Sequence, residues 1–103
     1  MGAQAYSPRR SIRPPEVIRR ILPTYSAEAL RIGLEGRVTL ATEIGTDGIA
    51  QNIRVIHGLG AGLDEQALDC LRQWTFRPAL GSLGNPVRAQ AIIEIVFSLE
   101  DSK

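Results

Sequence analysis

The stretch "RVTLATEIGTDGIAQNIRVIH", residues 37–57, decides the fold. In its first part Val38, Leu40, Thr42 and Ile44 alternate with Arg37, Thr39, Ala41 and Glu43, the period-two pattern of a strand buried on one face. "GTDG" at 45–48 interrupts the pattern. Its Asp47-Gly48 pair is a strong hairpin signal, because glycine accepts positive φ without Cβ strain. The continuation from 49 to 57 puts Ile49, Ile53 and Val55 on one face, with Asn52 and Arg54 on the other. Two strands joined this tightly are antiparallel.

Downstream, "GLGAG" (58–62) is a flexible break, and "LDEQALDCLRQW" (63–74) is the clearest helix. Leu63, Ala67, Cys70, Leu71 and Trp74 form one apolar stripe. Asp64 and Glu65 in the first turn and Arg72 in the last suit the helix dipole. Trp74 and Phe76 lie beside Pro78, which biases Arg77 to extended geometry and ends the helix before it. The two aromatics read as a clasp between helix and sheet. After a loop with Gly81, Gly84 and Pro86, the segment 89–99 alternates again, with Ala91, Ile93, Ile95, Phe97 and Leu99 opposed to Ile92, Glu94, Val96 and Ser98.

Upstream, Ser26 can cap a short helix over 26–33 that Gly33 stops. "EVIRRIL" (16–22) spaces Val17, Ile18, Ile21 and Leu22 as one face of another short helix limited by Pro23. Residues 1–15, with three prolines and no apolar period, read as a disordered or extended tail, and 101–103 as a second tail. The segment 16–100 is the folded domain. Its expected class is α+β, a two-layer sandwich. A three-stranded antiparallel sheet of order 2-1-3 carries helices on one face.

A chain of 103 residues with 44% hydrophobic and 22% charged residues supports one modest core. Seven Arg against three Glu make residues 1–37 basic, while the remainder is acidic, and the net charge of +1 gives no footing to a polyanion binder. The Arg-rich segment also lacks an aromatic stacking platform, so no nucleic-acid partner is expected. Cys70 is the only cysteine and His57 the only histidine, which excludes an internal disulfide and a Cys-rich metal site. Asp64 and Glu65 are neighbours on a helix and face different directions, a poor acid–base pair. The "GLGAG" loop lacks the Lys-Ser/Thr ending of a phosphate loop, and two carboxylates follow it. Neither catalysis nor a cofactor nor a metal is expected. The apolar runs are too short to span a membrane, and the first residues lack the apolar core of a signal peptide.

The order of these motifs resembles the C-terminal domain of the TonB energy-transducer family. The resemblance is carried by Pro23, Tyr25 and Ala29; Gly36 and Val38; Asp47-Gly48; Leu63, Asp64, Ala67 and Leu68; Trp74, Phe76 and Pro78; and Gly84, Pro86 and Val87, over about residues 14–100. Ser26 departs from the proline that usually follows the tyrosine. The resemblance implies a periplasmic domain, anchored to the inner membrane through a segment absent from this sequence, and driven by a motor of the ExbB/ExbD type. It implies docking to TonB-dependent outer-membrane receptors, whose short N-terminal segment adds as a strand beside the last strand.

The residues themselves lend weight to that site. In a 2-1-3 sheet the segments 49–57 and 89–99 are edges, and the latter has no proline and one charge, Glu94. Partner contacts are therefore expected at Tyr25 and along Ala91, Ile92, Ile93, Glu94, Ile95, Val96 and Phe97. The same edge would permit a strand-exchanged homodimer. A different role for the same domain is a sensor or interaction module of another envelope protein, such as a regulatory membrane peptidase.

Overall fold

The hairpin turn forms as its residues dictate. In the computed structural model, which describes residues 3–6 and 11–99, Gly48 has φ of 80°. The Ile49 amide donates to Asp47 Oδ1 at 3.1 Å and the Gly45 amide to the Ile49 carbonyl at 3.0 Å. On either side run β4 (Gly36–Ile44) and β5 (Ala50–His57), antiparallel from Ile44 opposite Ala50 to Thr39 opposite His57. Strand β9 (Ala89–Phe97) lies on the other flank of β4 in a register without a slip, Phe97 opposite Gly36 and Ala89 opposite Ile44. The expected 2-1-3 order is therefore present as β9-β4-β5, with one more strand outside β9.

The inner face carries the core. Val38, Leu40 and Ile44 of β4 and Ile93, Ile95 and Phe97 of β9 are buried with Leu63, Ala67, Cys70 and Leu71 of α2 (Leu63–Arg72) and Ala29 of α1 (Ala27–Ile32). Ser26 caps α1, accepting from the Ala29 amide at 3.1 Å, and Gly33 closes it in the left-handed conformation. Asp64 Oδ1 accepts from the amides of Leu59 (2.8 Å) and Gly60 (3.2 Å), so the chain's own carboxylate takes the glycine-loop donors.

The pattern on β5 departs from strict alternation. Asn52 has φ of 51°, the pairing slips between Ala41 and Glu43, and Ala50 rather than Ile49 is buried. Thr42, buried at this irregularity, donates its hydroxyl to the Gln51 carbonyl at 2.7 Å. A bulge of this kind shifts which side chains face the core, which is why Ala50 takes the buried place expected of Ile49. Ile53 still packs on the core, while Val55, opposite Leu40, is exposed toward the end of the strand.

The segment 16–22 is not a helix. Residues Glu16–Arg19 form β3, paired antiparallel with β6 (Thr75–Arg77), Val17 opposite Phe76. Only seven residues separate Pro15 from Pro23, too few for a stable isolated helix, and a strand partner was within reach. Val17 and Ile21 pack on the core while Ile18 and Leu22 are exposed. The stretch 1–15, expected as a tail, contains β1 (Ala3–Tyr6) on the outer edge of β9 and β2 (Ser11–Arg13) on β7 (Ala79–Gly81). A short β8 (Pro86–Val87) closes a hairpin with β7. Residues 1–2, 7–10 and 100–103, and with them the expected tail 101–103, lie outside the described residues.

As residue numbers rise from Ala3 to Arg19, their partners fall from Ile93 to Thr75. Residues 3–6 and 11–19 thus supply a strap antiparallel to the chain from β6 to β9. Its inner end is fastened by Trp74. The indole Nε1 donates to the Ile21 carbonyl at 2.9 Å, Cys70 Sγ donates to the same oxygen at 3.0 Å, and the Arg20 guanidinium lies 5.4 Å over the indole ring. Phe76, buried beside Trp74, donates its amide to the Gly48 carbonyl at 2.9 Å. A Cβ on Gly48 would collide with the Phe76 carbonyl, so the hairpin turn and the clasp require each other.

Candidate partner-docking edge

Strand β9 presents three surfaces. Its inner residues Ala89, Ala91, Ile93, Ile95 and Phe97 are buried, which leaves them backbone groups to offer a partner but no free side chain. Its outer-face residues Ile92 and Val96 are exposed, and half-exposed Glu94 pairs with Arg37 of β4 at 3.1 Å. Its outer edge is lined by β1, with Ala3 opposite Ile93, Gln4 opposite Ile92, Ala5 opposite Ala91 and Tyr6 opposite Gln90. The segment 89–99 is therefore not an open edge along its whole length. Among the described residues the pairing stops at Ile93, ahead of Glu94–Phe97.

Tyr25 lies at the Phe97 end of the strand, away from β1. Its ring meets Phe97 edge-on at 5.6 Å between centroids, and its hydroxyl donates to the Leu34 carbonyl at 2.8 Å. Desolvation, reinforced by the Glu35 carboxylate nearby, raises the phenol above its ordinary value, so it stays a donor at neutral pH. The expected contact residues are thus brought to one strand and its end, with Ile92, Glu94 and Val96 facing solvent and the others facing inward.

Ser26, the departure from the family pattern, does two things a proline could not. Besides capping α1, its hydroxyl donates to the Ala61 carbonyl at 2.6 Å and ties the glycine loop to the helix start. Two features escaped the sequence pattern. One is β1, whose short run of Ala3–Tyr6 has no apolar period. The other is a shallow polar cleft of about 130 Å³ on the open face, lined by Thr42, Glu43, Asn52, Arg54 and Gln90. The bulge at Asn52 creates it, and Glu43 already holds Asn52 at 3.2 Å and Arg88 at 3.8 Å.

Burial pushes the Cys70 thiol up, opposed by the neighbouring Trp74 side chain, and His57 sits exposed at the end of β5. Among the described residues no three His, Cys, Asp or Glu side chains converge to hold a metal. No helix among them is long and apolar enough to cross a membrane.

Residues 22–99 match the family described as Gram-negative bacterial TonB protein C-terminal. The chain belongs to the TonB C-terminal family. Protein TonB of Yersinia enterocolitica is 30% identical over 63 residues, which make up 60% of this chain and 25% of that protein. The chain thus spans about a quarter of the length of this TonB relative. The solution NMR structure of the Pseudomonas aeruginosa TonB CTD superposes with a TM-score of 0.69 at 26% identity, covering 94% of this chain and 96% of the other. The α+β architecture of this TonB domain is therefore shared along nearly its entire length.

Proposed function

We propose that this TonB domain docks outer-membrane receptors in the periplasm by taking a short extended receptor segment as an added strand on the outer edge of β9. Force from an inner-membrane ExbB/ExbD-type motor then reaches the receptor through an anchor carried elsewhere in the protein, coupling proton-motive force to import. The observation that carries this function is the construction of β9. Nine register pairs and a buried inner face hold it to β4, while its outer edge takes a strand by backbone pairing. Main-chain hydrogen bonds supply affinity in such complexes, and exposed alternate side chains, here Ile92, Glu94 and Val96, supply selectivity. Tyr25, packed on Phe97, shapes the end of the rail.

Titration of the full chain with a synthetic peptide from the N-terminal segment of a TonB-dependent receptor tests the proposal. Amide shifts concentrated on residues 90–97 are expected. Binding that leaves those amides unmoved, or no binding at millimolar peptide, overturns it. A strand-exchanged homodimer would use the same edge, and a mass that rises with concentration in light scattering identifies it.

A further inference from the structure

The outer edge of β9 already holds a strand, and that strand belongs to the same chain. We infer that Ala3–Tyr6 is a built-in occupant of the docking rail, a removable strand that an incoming partner segment must displace. The inference rests on the docking role proposed above for what the partner is, but not for the occupancy itself.

Three observations carry it. First, the strap is fastened unevenly. Its inner end is fixed by Val17 against Phe76 and by the Ile21 carbonyl, which receives both Trp74 Nε1 and Cys70 Sγ. Its outer end has four register pairs on β9 and places alanines opposite Ala91 and Ile93. Four main-chain pairs make a short ladder, marginal by itself in water. Second, the fixed end acts as a tether. Only four residues join Tyr6 to Ser11 of β2, which keeps β1 at an effective concentration on the order of millimolar beside the rail. A short ladder that would not persist as a free peptide can persist when tethered, and it can also be outcompeted. Third, β1 ends at Ile93 among the described residues, while β9 continues to Phe97. A partner strand longer than four residues can pair with Glu94–Phe97, which no described residue of β1 covers, and then replace β1 step by step.

The occupant also describes its competitor. A fitting segment is extended, free of proline over the paired stretch, and small at the alternate positions that fall opposite Ala91 and Ile93. Each ladder bond lost by β1 is regained by the newcomer, so exchange changes the bond count little, and the tether sets the threshold.

The test uses three forms of the full chain: unchanged, Gln4→Pro/Ala5→Pro, and Gln4→Cys/Ile92→Cys oxidised to a disulfide. Successive prolines remove whichever of the two amides faces β9. The cysteines replace directly opposed residues, and the buried Cys70 thiol is a poor competitor for the bridge. Hydrogen exchange without any peptide reads the occupancy alone. Those amides of residues 90–93 that point toward β1 should exchange about tenfold faster in the proline form, with those bonded to β4 and the rest of the sheet unchanged. Equal rates overturn the occupant. Titration with the receptor N-terminal peptide then reads competition. The proline form should bind about threefold or more tighter than the unchanged chain, and the disulfide form weaker until it is reduced. Equal affinity in all three forms, with exchange accelerated as expected, overturns competition. A peptide that binds none of them, again with accelerated exchange, overturns the receptor-docking role and leaves the occupied edge in place.

Discussion

Against β4, strand β9 pairs nine residues without a slip, from Phe97 opposite Gly36 to Ala89 opposite Ile44; against β1 it pairs four among the described residues. The first side is fixed by side-chain burial. A one-residue slip there would turn Ile93, Ile95 and Phe97 outward together. The second side is a four-residue backbone ladder among the described residues, its hydrogen bonds each worth only about 0.5–1.5 kcal/mol net. A strand edge held by burial resists exchange, and one held by backbone bonds can trade one extended segment for another. The two flanks of a single strand thus suit permanence and replaceability, and force applied through the second would be resisted by the first.

Substitutions can break this contrast or sharpen it. The largest effect is expected for Trp74→Ala, which removes a buried side chain from the fixed region and also unhooks the Ile21 carbonyl. A loss of about 3–5 kcal/mol is expected in urea unfolding. A loss below about 1 kcal/mol would mean that the clasp is not what binds helix, hairpin and strap together. Next, Ser26→Ala should lower stability by about 1 kcal/mol through the lost cap, with α1 amides exchanging faster. Unchanged exchange in α1 would show that the hydroxyl serves the glycine loop alone. The smallest effect belongs to Arg37→Ala. Its pair with Glu94 is solvent-exposed and should contribute less than about 1 kcal/mol in a double-mutant cycle with Glu94→Ala. A larger coupling would make the outer face of β9 a stabilising surface rather than one left open for recognition.

Much of this architecture could be read before any coordinates. The alternation in 37–44 and 89–97 and the stripe from Leu63 to Trp74 name nearly the whole core, because apolar period reports burial directly. Ser26, Gly33 and Asp47-Gly48 mark their helix ends and turn through backbone chemistry local to a few residues. The failures share a cause. At 16–22 a helical spacing was outweighed by a strand partner at 75–77, sixty residues away in sequence. On β5 the left-handed Asn52 exchanged the buried roles of Ile49 and Ala50, and asparagine tolerates that conformation without announcing it. The candidate edge was recognised as the last strand, yet its occupant was not, since Ala-Gln-Ala-Tyr carries no pattern that distinguishes a paired strand from a tail.

By itself the sequence determined β4, β9 and α2 with their inner faces, α1, the hairpin turn, the 2-1-3 order and the TonB relationship, because side-chain period and turn chemistry are local properties. Only the tertiary structure decided where residues 3–6 and 11–19 lie and that β9 is lined along part of its outer edge. Those placements rest largely on main-chain hydrogen bonds, which every non-proline residue can make, so composition alone does not choose among the partners within reach.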